Sequence, residues 1–66
     1  MDIAQIMKSR RKVLGISQQD LSEMAAVSLA TIKDIERGQG NPSLSTVQKI
    51  LDVLGMEMIF QVKKMV

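Results

Sequence analysis

Apolar residues along this chain change their period once. Up to Leu54 they recur every three to four positions, the helical spacing, and from Met56 onward they alternate one in two, the spacing of a strand. Punctuation divides the helical part into four segments. Asp2 is an N-cap for a helix from Ile3 to about Leu14, with Gln5 in the reciprocal capping position, Ile3, Ile6, Met7 and Leu14 as apolar contacts, and Gly15 as its end. Ser17 opens a second helix, with Asp20 three residues on as the capping-box acid and Leu21, Met24 and Ala25 on one face. Ala26-Val27-Ser28 leaves room only for a sharp bend, and Ser28 caps a third helix whose stripe is Ile32 and Ile35 and whose closing residue is Gly38. Asn41-Pro42-Ser43 is a turn followed by another N-cap, and Leu44, Val47, Ile50, Leu51 and Leu54 carry a fourth helix to Gly55. Ile50 and Val53 widen that last face sideways, which predicts a contact beyond the first three helices.

Past Gly55, Met56, Met58, Phe60 and Val62 fall on one side of a period-two segment, and Glu57, Ile59, Gln61 and Lys63 on the other. No other segment has this pattern, and a lone strand leaves its backbone donors and acceptors unpaired. The expected partner is the same strand of a second copy in an antiparallel two-fold pair. The interface so predicted comprises Val53, Met56, Met58, Ile59, Phe60 and Val62. A frayed tail or a helical extension are the alternatives; β-branched and aromatic residues at alternate positions disfavour the latter. The expected division is residues 1–55 as a helical domain and 56–66 as the dimerising strand.

Sixty-six residues make one domain, and one so small buries only about 60% of the surface its unfolded chain exposes, so a staple or a second subunit is expected. The chain has no Cys and no His, which removes disulfides, thiolate chemistry and the usual zinc ligands, so no metal site and no cofactor are expected. Without His, Cys or Tyr the common general bases and nucleophiles are missing too, and the seven carboxylates form no recognisable pair. No catalytic residues are assigned, and an enzyme is not expected. Gly38-Gln39-Gly40 follows a helix rather than a strand and lacks the spacing of a phosphate-cradling loop. A net charge of +2 is mild; its distribution says more. Lys8, Arg10, Arg11 and Lys12 cluster on the first helix, with Lys33 and Arg37 on the third, so positive charge flanks one surface. Arg11 lies one turn before Leu14 on the inward side, a place for a charge only if a partner meets it. No apolar run approaches bilayer length and no signal-peptide core is present, so a cytoplasmic location is expected, with no membrane partner.

Read from Arg11 to Leu54 as R-x-x-x-G-I-S-Q-x-x-L-x-x-x-A-x-V-S-x-x-T-I-x-x-I-E-R-G-x-x-N-P-S-L-x-T-V-x-K-I-L-x-x-L, the chain resembles the Cro/repressor-type (XRE) helix-turn-helix family over most of its length. The resemblance implies an all-α, compact four-helix domain that binds double-stranded DNA with its third helix in the major groove. It implies a structural ion pair between Arg11 and Glu36. It places Ser28, Leu29, Ala30 and Lys33 against bases, with Asp34 ranked behind them because its charge repels phosphate. Leu29 and Ala30 offer only apolar contact and Lys33 a donor to guanine, so DNA shape is expected to contribute to specificity. Ser17, Gln18, Thr31, Gln39 and Asn41 are expected at backbone phosphates, Gln18 beside the free N–H groups of a helix start. The family commonly has Gly where this chain has Ala26, and alanine in a left-handed bend costs about 1 kcal/mol. Many relatives carry Arg or Gln where this chain has Leu29.

The tail L-G-M-E-M-x-F-x-V-K narrows the resemblance to HipB-like antitoxin repressors. That implies a homodimer on an inverted-repeat (palindromic) operator and a HipA-type kinase toxin as a further partner. A stand-alone phage or plasmid repressor, and a protein-interaction module that has lost DNA binding, are the competing functions.

Overall fold

A computed structural model describes residues 2–64. Four helices form: α1 (Ile3–Leu14), α2 (Gln18–Ala25), α3 (Leu29–Glu36) and α4 (Leu44–Val53). Each starts on the side chain that the sequence marks. Asp2 accepts from the Ala4 N–H, Ser28 from Thr31 and Ser43 from Thr46, while Ser17 and Asp20 close a full capping box. Each helix ends in the same paired carbonyl contacts. Past α3, for example, the Gly38 N–H donates to the Ile35 carbonyl at 2.9 Å and the Gln39 N–H to the Asp34 carbonyl at 2.8 Å, which satisfies two of the orphaned acceptors.

Met7, Leu21, Ile32, Ile50 and Leu54 are the largest fully buried side chains, joined by Ala25, Ile35 and Leu51 in one core. α3 packs on α1 and α2, and α2 on α4. Arg10 ties the ends of the fold, its Nε donating to the Leu54 carbonyl at 3.1 Å where the last turn of α4 leaves acceptors open. Some expected core contacts lie outside it. Met24 is exposed because the inner row of α2 runs through Leu21, Ser22 and Ala25. Leu14 and Leu44 are exposed at the last position of α1 and the first of α4, where the chain already turns away. Ile50, expected on a lateral face, sits wholly within the core, and Val53 is half-buried against it.

The tail departs most from expectation. Residues 56–64 have no regular secondary structure, and no strand forms among the described residues; residues 65 and 66 of the expected strand lie outside them. The physical reason is that one extended segment within one chain has no edge to pair with. Nor does the two-sided alternation hold. Met56 and Met58 turn back onto the core, while Ile59, Phe60 and Val62 are 68%, 78% and 98% exposed.

Candidate nucleic-acid interface

The bend between α2 and α3 is as tight as the sequence requires. Ala26 is the one non-glycine residue of positive φ among those described, at 55°, and its N–H reaches the Glu23 carbonyl while Val27 reaches that of Ser22. A methyl group here carries the left-handed strain that glycine would avoid. Val27 then packs against the core and fixes the direction in which α3 leaves.

α3 consequently has two sides. Ile32, Ile35 and Glu36 face inward and are buried. Ser28, Ala30, Lys33 and Arg37 are exposed, with Leu29, Thr31 and Asp34 half-buried beside them. The Ser28 hydroxyl accepts from the Thr31 N–H at 3.1 Å and donates to Thr31 Oγ1 at 2.8 Å, so both its functions are spent on the helix start. Asp34 Oδ1 accepts from Arg37 Nη2 one turn on.

The helix is anchored from beneath by Glu36, whose side chain is only 2% exposed. Arg11 grips it in a fork, Nε to Oε2 and Nη2 to Oε1 both at 2.7 Å, and spends Nη1 on the Ile16 carbonyl at 3.2 Å. Gln18 Nε2 adds a third donor, to Oε1 at 3.1 Å. Burial pushes the Glu36 carboxyl up, but the Arg11 and Gln18 hydrogen bonds and the charges of Arg11 and Lys8 outweigh it and hold the group below the usual carboxylate range. The hydrogen bond to Glu36 in turn raises the Arg11 guanidinium. Such a network orients helices more surely than it adds net stability. It joins α1, the first residue of α2 and the last of α3.

The expected contact residues are thus brought to one side in part. Ser28, Ala30 and Lys33 share the outward side of α3, and Leu29 lies at its half-buried margin. Ser17 is exposed, but its hydroxyl accepts from the Asp20 N–H at 2.9 Å, and the Ser17 hydrogen bonds hold the Asp20 carboxyl low. The Gln18 amide is turned inward to Glu36, away from the phosphate role expected of it, because a buried carboxylate is the stronger acceptor within reach. Gln39 and Asn41 are exposed on the loop after α3. Asn41 joins Thr31, Asp34, Pro42 and Thr46 around an open cleft of about 430 Å³ between α3 and the start of α4. Of the basic cluster on α1, Arg10 and Arg11 are committed to protein acceptors. Sequence reasoning missed the Arg10 tether, the turned Gln18 and the Asp34–Arg37 pair; only the last had a signal, the three-residue spacing of opposite charges.

Among the described residues no cluster of His, Cys, Asp or Glu is arranged for a metal, and no helix is long and apolar enough to cross a membrane.

A family described as helix-turn-helix matches residues 7–60. The chain is 39% identical over 57 residues to an immunity repressor protein of Bacillus phage phi105, covering 86% of this chain and 40% of that one. It is 37% identical over 54 residues to an uncharacterised HTH-type transcriptional regulator of Methanothermobacter thermautotrophicus, covering 82% and 78%. A third, of the same description from Haemophilus influenzae, is 43% identical over 53 residues, covering 80% and 53%. The chain therefore spans about half or less of the first and third of these relatives and most of the second.

Proposed function

The chain belongs to the helix-turn-helix family, and from that premise we propose that it is a sequence-specific DNA-binding repressor that acts as a homodimer on an inverted repeat. The observation that carries this reading is the construction of α3. Its inward side is locked by Arg11, Glu36 and Gln18, and its outward side presents the small Ser28 and Ala30 beside the donor Lys33. Lys33 donates to guanine, Leu29 and Ala30 meet thymine methyl groups, and Ser17, Thr31, Gln39 and Asn41 with the N–H groups at the start of α2 hold phosphates. The printed name of the phage relative, an immunity repressor, favours repression. Such a protein works in the cytoplasm, at the nucleoid.

Dimerisation is assigned to the tail. Ile59, Phe60 and Val62 are exposed, and Met56, Met58 and Phe60 share with Ile3, Ile6, Val47 and Leu51 an apolar groove of about 410 Å³. Pairing the segment after residue 56 with its copy satisfies a free backbone edge and covers this apolar surface together. Two recognition helices then stand about 34 Å apart, one turn of duplex. On this reading the chain is a HipB-like antitoxin that represses its own operon and partners a HipA-type kinase toxin. The similarity to a phage protein favours a second reading, a stand-alone phage repressor with the same DNA chemistry and no toxin.

Selection of bound sequences from a random duplex pool near physiological salt tests the central part. Recovery of an inverted repeat with half-sites about one turn apart supports a dimeric repressor; recovery of nothing above background leaves the protein-interaction reading in first place. Truncation after Met58 keeps both methionines that pack on the core, and a truncated chain that stays dimeric by sedimentation removes the tail from the interface.

A further inference from the structure

One ion pair on the outward side of α3 is not used by the reading above. Asp34 lies in the last turn of the helix, at the negative end of the helix dipole, so an acid there is unfavourable before any ligand arrives. It also lies on the surface proposed to meet a polyanion. The exposed pair with Arg37 returns little stability for this placement. The Asp34 side chain lies beside Gly40 of the following loop and lines the open cleft shared with Thr31, Asn41 and Thr46. Among the described residues Arg37 engages only Oδ1.

We propose that Asp34 is a specificity-determining residue of the DNA surface, which opposes binding at most sequences and accepts a hydrogen bond from a cytosine or adenine amino group at the right one. The inference rests on the DNA-binding reading. An ionised carboxylate is an acceptor only. Of the major-groove edges, cytosine N4 and adenine N6 donate, while guanine N7 and O6 and thymine O4 accept. Opposite an acceptor, Asp34 is desolvated and unpaired beside phosphates; opposite an amino group it is satisfied. Arg37, left free, would attract any phosphate, and its contact with Asp34 diverts that sequence-blind attraction. The pair thus trades affinity for discrimination.

The test uses the full chain, its selected duplex and a scrambled duplex of equal length, at one salt concentration, with thermal unfolding to show that each variant folds. For Asp34→Ala the expected result is about threefold tighter binding to the scrambled duplex, and a preference for the selected duplex that falls about tenfold. Repeated selection should lose the base preference at one position in each half-site. The isosteric Asp34→Asn should move that preference toward adenine, which an amide reads through both N6 and N7. Arg37→Ala should weaken both duplexes by similar factors and keep every base preference. Equal tightening on both duplexes by Asp34→Ala would reduce Asp34 to bulk charge and overturn the proposal, as would weakening of both. If the unaltered chain selects no sequence, the DNA reading fails and this inference with it; if it selects one that Asp34→Ala reads equally well, only this inference fails.

Discussion

Glu36 and Arg37 are neighbours in sequence and opposites in environment. Glu36 is buried under α3 with three donors on its two oxygens, and Arg37 stands in solvent with one partner on its own helix. The inner side of α3 also carries Ile32 and Ile35, whereas the outer side carries Ala30, Lys33 and Asp34. Inside, a removed atom leaves a void or an unpaired charge, and the cost appears in folding. Outside, water replaces whatever is removed, and the cost appears only when a ligand displaces that water. On the proposed function, the same helix separates stability from recognition across one turn.

Ile32→Ala should break the inner side most severely. Ile32 is fully buried, and its truncation should cost about 4 kcal/mol by denaturant unfolding, enough to leave so small a domain largely unfolded. Glu36→Ala should cost about 3 kcal/mol, because the Arg11 guanidinium is left half-desolvated without its acceptor. This pair also sets an acid limit. The folded Glu36 carboxyl titrates below its unfolded value of about 4.3. Its contribution is therefore complete above that pH and is lost as pH falls through the folded value. Unfolding free energy measured from pH 6 downward should drop in that window, and Glu36→Gln should flatten the drop. Ala26→Gly relieves the left-handed methyl group at the bend and should add about 0.5–1 kcal/mol, less whatever the unfolded chain gains in freedom. On the outer side, Lys33→Ala should move stability by less than about 0.5 kcal/mol, yet weaken the selected duplex about tenfold more than a scrambled one.

The contrast between the two sides was legible in the sequence to different degrees. Helix starts could be read closely because Asp2, Ser17, Ser28 and Ser43 each spend a side-chain oxygen on the backbone within three residues, a local interaction that needs no tertiary context. The inner row of α3 followed from Ile32 and Ile35. The inner row of α2 was misread at Met24, because the burial of Ser22 rotates that helix, and composition alone favours the methionine. Arg11 opposite Glu36 came through the family resemblance; 25 residues separate them, beyond any local rule. Gln18 and Arg10 could not be read at all, since a long polar side chain chooses among acceptors that only the folded chain assembles. The tail shows the same limit from the other side. Its period-two pattern is real in sequence, but pairing needs a second edge, and within one chain Met56 and Met58 go instead to the nearest apolar surface.

The division of labour on α3 is tested most directly by backbone amide NMR of the isotopically labelled chain, titrated with a duplex at physiological salt. Shift changes concentrated at Ser28, Ala30, Lys33, Asp34 and Arg37, together with the amides of Ser17, Gln18, Gln39 and Asn41, with Ile32 and Ile35 moving little, are the result this account requires. Changes confined to the tail beyond Met58, or spread evenly over the four helices, would contradict it and show that the outward side of α3 is not the recognition surface.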